Sequence, residues 1–318
     1  MTALPLAAMT VLIVILIWYL LPEPVARLLL LIERRRSGLK SLFIQAGQYR
    51  WHYLDGGDGT PLVLLHGIGA DADNWTRSAR YLNRKFRIIA PDLLGFGESD
   101  CPDGVSFTAE AQARRLHDFT NALGLKSFYL AGNSMGGFVA ARFARQFPQQ
   151  VRALWLLAPG GIISAKFSET MQIVYDGGHN PLTVRHMGDW QRLLDLCFHK
   201  QPFMPWPVKR HLAKRAMRRR PHTEKVFDDL RFHSDSLETI ADGLQVPALI
   251  VWGRSDRVLD PSGGPLLLKL MPNAKLILLD NMGHIPMLEQ PADVCQLFLD
   301  YADNLEQSGD SEGIPAEL

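Results

Sequence analysis

Cysteine is scarce in this chain. Only three stand among 318 residues: Cys101, Cys197 and Cys295. They are odd in number, scattered, and never paired as C-x-x-C, so neither a disulfide framework nor a zinc knuckle is expected. There is no H-E-x-x-H stretch, which leaves a metal mechanism without a visible ligand set. No excess of one charge is present either. The net charge of +1 gives nucleic acid no electrostatic footprint. No internal repeat is visible. The length suits one large domain with additions, and it is ample for a full core.

The strongest local absence is charge at the N-terminus. Residues 1–22 carry no charged side chain, and residues 11–21 are apolar throughout. A helix of about 20 such residues spans a bilayer. Trp18 and Tyr19 stand where an interfacial aromatic belt would lie. Arg27, Arg34, Arg35, Arg36 and Lys40 follow. A cleaved signal peptide would carry its positive charge before the apolar run and a small-residue cleavage site after it. Here the positives come after, so residues 1–40 are expected to be an N-terminal transmembrane anchor with a basic juxtamembrane segment. The Lys/Arg flank places the catalytic domain on the cytoplasmic side. Residues 24–32 are expected to lie along the membrane surface or to pack on the domain.

From residue 41 the pattern alternates. Strand-like runs stand at 41–46, 49–54, 61–65, 86–90, 127–131, 153–157, 247–253 and 274–279. Helical stretches at 73–83, 108–123, 138–147, 264–270 and 291–305 separate most of them. This is α/β alternation, and it means a mostly parallel eight-stranded sheet with helices on both faces. The core is expected over 41–161 and 246–306. Residues 162–245 interrupt the alternation for too long to be an ordinary connection. They are read as a helical lid inserted after strand 6, above the strand ends where such sheets place ligands. Within it a basic amphipathic stretch, 209–220, reads as a helix against a membrane surface or as a solvated lid helix. The polar, acidic tail 307–318 is expected to be disordered.

Chemistry concentrates at one turn. Gly132-Asn133-Ser134-Met135-Gly136 follows a strand and opens a helix, which is the nucleophile-elbow pattern. Glycine two residues either side of Ser134 removes a collision as the backbone reverses. Two later strand-end loops supply an acid and a base, Asp256 in Gly253-Arg254-Ser255-Asp256 and His284 in Asn281-Met282-Gly283-His284. Ser134, Asp256, His284 is the chain order of a hydrolase triad on such a sheet. His284 would take the Ser134 proton and Asp256 would hold the imidazole. Asp260 and Asp280 compete for the role of Asp256. The oxyanion donors expected are the amides of Met135 and Ile68, with His66 bracing the loop. The same loop, 67–72, also fits G-x-G-x-x-A with Asp92 further on, a dinucleotide fingerprint. That rival leaves Ser134, Asp256 and His284 unexplained.

Taken together, HGIG at 66–69, DLLGFGES at 92–99, GNSMGG at 132–137, GRSD at 253–256 and GHIPMLEQP at 283–291 resemble the α/β-hydrolases. The resemblance covers about residues 42–306. Within that superfamily the chain is most similar to the membrane-anchored monoacylglycerol lipase branch, on its anchor, LDLCF at 194–198 and VPALIVWGRSDRVLDPSG at 246–263. The resemblance implies a serine esterase acting on a lipid ester, no cofactor, the bilayer as a partner, and Ser134, Asp256 and His284 as its triad. The meta-cleavage C–C hydrolases share GNSMGG and the Pro159-Gly160-Gly161 stretch, yet usually place tryptophan where Ile285 stands. An inactive hydrolase-fold binding protein and an NAD-binding oxidoreductase are the readings from other classes.

Overall fold

The computed structural model describes residues 3–311; Met1 and Thr2 of the expected anchor and residues 312–318 of the expected tail lie outside the described residues. Eight strands form one sheet: β1 (Lys40–Ala46), β2 (Tyr49–Gly56), β3 (Thr60–Leu65), β4 (Phe86–Pro91), β5 (Phe128–Asn133), β6 (Val151–Leu157), β7 (Ala248–Gly253) and β8 (Ala274–Leu279). Their spatial order is β1-β2-β4-β3-β5-β6-β7-β8. β2 runs antiparallel to β1 and β4, and every other pairing is parallel.

The helices follow in chain order. α1 (Ala3–Leu20) and α2 (Pro22–Arg36) precede the sheet, α3 (Thr76–Leu82) follows β3, α4 (Ala109–Ala122) follows β4 and α5 (Met135–Gln146) follows β5. Between β6 and β7 stand α6 (Glu169–Tyr175), α7 (Met187–Cys197), α8 (Trp206–Arg218), α9 (Arg220–Phe232) and α10 (Leu237–Ala241). α11 (Gly263–Leu270) follows β7, and α12 (Pro286–Glu289) and α13 (Pro291–Ser311) close the chain.

Side chains alternate across a strand, so each strand feeds two cores. Val63, Leu65, Leu130 and Leu156 pack under α4 and α5. Their neighbours Leu62, Leu64, Ala131 and Trp155 pack against α3 and α13. β3 and β5 are apolar on both faces for this reason, as central parallel strands must be.

The N-terminal segment is two helices, bent by 98° at Leu21. Pro22 explains the break. Its ring disfavours helical backbone at the preceding residue, and Leu21 sits at φ −121°, ψ 53°. Among the described residues no single helix is long and apolar enough to cross a membrane; the bent pair Ala8–Leu20 with Pro22–Arg36 passes that test together. α1 exposes Val11, Leu12, Ile13 and Val14 alike. α2 takes the second of its two expected places, on the domain. It packs on α8 and α3, leaving Leu28 and Leu31 exposed on its outer side.

Two expected boundaries move. The basic stretch 209–220 is not one helix, because α8 ends at Arg218 and α9 begins at Arg220, with Pro221 in its first turn. A proline fits there and not inside a continuing helix. The last helix extends to Ser311, past residue 307 where the tail was expected to begin.

Phe298 docks α13 by stacking on Trp155, with centroids 4.6 Å apart and planes 8° apart, and meets Tyr129 edge-on. Replacing Phe298 with Ala is expected to cost about 3–5 kcal/mol. Urea unfolding would read this as a lower midpoint with an unchanged slope.

Candidate active site

Ser134 sits between β5 and α5 at φ 55°, ψ −119°. Non-glycine residues adopt such backbone rarely, at a cost of about 1–3 kcal/mol. The surroundings enforce it. The Ser134 N–H donates to Leu157 O at 3.0 Å, and its own carbonyl accepts from Phe138 N and Gly160 N. A Cβ at residue 132 would stand 2.2 Å from the Gly136 backbone, and one at residue 136 would stand 2.3 Å from Leu65 O. Only glycine fits either place. Asn133, to which the sequence reading gave no role, donates from Nδ2 to Leu157 O at 3.0 Å and to His284 O at 2.9 Å. It ties the elbow to the histidine loop. Its place in G-x-S-x-G was visible, but its partners are long-range.

His284 Nδ1 lies 2.7 Å from Asp256 Oδ2. Oδ2 also accepts from Trp252 Nε1 at 2.9 Å, and Oδ1 accepts from the amides of Val258 and Leu259 at 2.8 and 3.0 Å. A carboxylate so occupied fixes the imidazole opposite it. The proton of a neutral ring belongs on Nδ1, which leaves Nε2 as the basic nitrogen. The His284 amide donates to Cys197 O at 2.7 Å, so the end of α7 also holds this loop. Burial, and then the charge of Asp256, push the Cys197 thiol far above its usual range, and it stays a neutral thiol. The competing carboxylates go elsewhere. Asp280 is 82% exposed and pairs with Arg254, and Asp260 accepts from Ser262 N.

Gly67, Ile68 and Gly69 line the same cavity as Ser134 and His284. A Cβ on Gly67 would stand 3.4 Å from both Asn133 Oδ1 and Ser134 Cβ, so this loop lies directly against the elbow. His66 braces it. The Leu93 amide donates to Nε2 at 3.0 Å, which puts the ring proton on Nδ1, 2.8 Å from Gly67 O. Burial holds this imidazole below its usual pKa, so it braces as a neutral group. Met135 is the first residue of α5, where helix amides are unsatisfied and the dipole favours an anion.

The features of a dinucleotide site are otherwise engaged. Residues 72–75 form a short 3₁₀ turn instead of a helix start on the glycine loop. Asp92 is buried, accepting from Ala72 N at 2.8 Å and Glu98 N at 2.7 Å, and bonded to His52 Nδ1 at 2.7 Å. His52 Nε2 continues to Ser41 Oγ at 2.7 Å. A fully buried imidazole needs a partner on each nitrogen, and this Ser41–His52–Asp92 chain supplies both.

The cavity holds about 500 Å³. The insertion contributes Leu182, Trp190, Val208 and Leu212, and α2 contributes Leu29, Leu30 and Ile32. One wall is polar, built from Asp71, Asp73, Asn74 and Arg215. Neither α2 nor this wall was legible as part of a site, because no local motif marks them. Among the described residues no three His, Cys, Asp or Glu side chains converge as a metal site requires.

Sheet order, elbow and strand-end loops define the class. Residues 60–291 match the family described as the alpha/beta hydrolase fold, and the chain belongs to that family as an enzyme of its lipase and esterase kind, hydrolysing carboxylic esters. Among named proteins it is similar to Lipase 1 of Psychrobacter immobilis, at 35% identity over 81% of this chain and 82% of the relative. It is 26% identical to Monoacylglycerol lipase ABHD6 of Homo sapiens, over 88% of this chain and 87% of that one. A solved structure of a membrane phospholipase A, described as a bacterial virulence factor, superposes with a TM-score of 0.88 at 36% identity, covering 96% of this chain and 99% of the other.

Asp256 and Asp280 give opposite expectations. Asp256→Asn should lower ester turnover about 10³–10⁴-fold through the wrong imidazole tautomer, while Asp280→Asn leaves it unchanged. Steady-state kinetics of both variants on one soluble ester decide between the two carboxylates.

Proposed function

We propose that this chain is an acylglycerol lipase working at a membrane surface through an acyl-enzyme. Ser134 Oγ attacks the ester carbonyl while His284 Nε2 takes its proton. Asp256 holds the ring and stabilises the imidazolium. The amides of Met135 and Ile68 receive the oxyanion. His284 then protonates the departing glycerol oxygen, leaving the acyl group on Ser134. Water attacks that ester with His284 again as base, and a fatty acid leaves. The observation that carries this reading is His284, paired with Asp256 at 2.7 Å and lining the same cavity as the strained Ser134.

The apolar walls favour an acyl chain as the occupant, and the similarity to named lipases supports a lipid ester. In this reading residues 41–161 and 246–306 are the catalytic core and residues 162–245 are its lid. Residues 1–40 are the anchor, and the catalytic domain faces the cytoplasm. The exposed apolar surface of α1 supports the anchor. So do Tyr19 against Trp206, with rings 5.2 Å apart, and the exposed Phe203 at the cavity edge. A patch of that kind supports a membrane contact. The basic edge of the lid contributes less than its charge count suggests. Arg219 donates to the carbonyls of Gly95 and Gly97, and Arg215 is turned inward onto Asp71.

A panel of monoacylglycerols, triacylglycerols, short-chain esters and a vinylogous diketone tests the substrate. Monoacylglycerols should give the highest kcat/KM, and Ser134→Ala should lose at least about 10⁴-fold on all of them. Preferred cleavage of the diketone would instead establish a C–C hydrolase. Protein lacking residues 1–21 should keep its activity on a soluble ester and stop sedimenting with lipid vesicles. Unchanged sedimentation would remove the anchor from the account.

A further inference from the structure

The loop carrying Ile68 is braced at its start, where His66 Nδ1 bonds Gly67 O at 2.8 Å, and less so beyond it. Its own backbone closure, Ala70 N to Gly67 O, is a long 3.3 Å. At its far end stand two largely buried carboxylates, Asp71 and Asp73. They oppose each other. Burial, and then the charge of Asp71, push Asp73 up to about 6. Burial also raises Asp71, but the charges of Arg215 and Arg34 outweigh it and hold that carboxyl below its usual range.

The cations that answer them come from outside the sheet. Arg34, in the last turn of α2, reaches Asp73 with both prongs, Nε to Oδ1 at 2.6 Å and Nη2 to Oδ2 at 2.9 Å. Arg215, on α8, bonds Asp71 Oδ2. Asp71 Oδ1 in turn accepts from Asp73 N at 3.1 Å, and Ala72 N donates to Asp92. Two helices, one from the N-terminal segment and one from the insertion, therefore fix the end of one short loop. A two-pronged guanidinium sets the plane of a carboxylate as well as its charge. Buried ion pairs of this kind are weak sources of net stability, so their geometry is the more telling feature.

We propose that Arg34 and Arg215 are positioning residues for turnover. By clamping Asp73 and Asp71 they hold the 67–70 loop, with its Ile68 amide, at the spacing from Ser134 that an oxyanion requires. This rests on the reading of Ile68 as an oxyanion donor. It goes further in making the seating of α2 and α8 a condition of catalysis, separate from membrane attachment or substrate entry. A displacement of about 1 Å in such a site can cost about 10²-fold.

The test uses the full-length protein in detergent micelles, a soluble short-chain ester, and a small phosphonate ester whose attack on the serine uses the same oxyanion amides. Arg34→Met and Arg215→Met should each lower kcat and the phosphonylation rate together, about 10- to 100-fold, with KM within about two-fold and the circular dichroism of the native fold. Arg34→Lys, which keeps the charge and loses the fork, should fall between. It also decides the matter if Arg34→Met does not fold. Arg87→Met, which breaks an equally two-pronged pair with Asp55 away from the cavity, should leave both rates unchanged. The proposal is overturned if the arginine variants lower only the melting temperature, if they raise KM at constant kcat, or if Arg34→Lys equals the native protein. Ser134→Ala separates the two levels. If it is inactive while the arginine variants are normal, only the clamp fails; if it stays active, the triad reading fails whatever the arginines do.

Discussion

The backbone of Ser134 is the constraint on which the rest of the architecture depends. A serine at φ 55° is stable only where neighbouring elements leave no alternative. Here β6 holds its amide, Gly160 and Phe138 hold its carbonyl, and two glycines give up their side chains to let strand and helix close. Parallel strands on both sides fix β5 in the middle of the sheet, so the turn cannot relax sideways. The same strand ends deliver the loops that carry Gly67, Asp256 and His284. Asn133 ties the elbow to the third of these. The candidate site is thus a property of the strand ends, with Ser134 held through its backbone by β6 and Asp256 held by Trp252 of β7 and by its own loop.

Around those strand ends lies a second layer made by segments that are not part of the sheet. The end of α7 accepts the His284 amide through Cys197 O, Arg215 of α8 meets Asp71, and Arg34 of α2 meets Asp73. The insertion and the N-terminal helices cover the cavity, and they also hold the loops that form it. An exposed α1 leads into α2 through the bend at Leu21, so an exposed apolar helix at one end and the site wall at the other belong to one continuous segment.

Much of this was legible in the sequence, for identifiable reasons. Strand positions followed from apolar runs of strand length, and the elbow from glycine spacing around Ser134. Both signals are local. The choice of Asp256 over Asp280 rested on its place in the loop after the first strand beyond the insertion; only the fold shows Asp280 in solvent and Asp256 ringed by donors. Pairings between distant residues were not legible. The bonds Arg34–Asp73, Arg215–Asp71 and His52–Asp92 join positions 39, 144 and 40 residues apart. Charged residues in helices read equally well as solvated faces, and for that reason 209–220 was read as one surface helix. Pro221 held the information that it breaks. Pro22 likewise marked the break between α1 and α2, at the end of the apolar run 11–21.

The central claim is that Ser134, and no other hydroxyl, is the nucleophile. The chain offers its own internal comparison, since Ser41 bonds a histidine that bonds an aspartate, but on an exposed edge strand away from the cavity. Peptide mass spectrometry of the full-length protein after reaction with a fluorophosphonate reads the outcome directly. The account predicts one adduct, on the peptide containing Ser134, and none on the peptide containing Ser41. An adduct on Ser41 or elsewhere with Ser134 unmodified would contradict it.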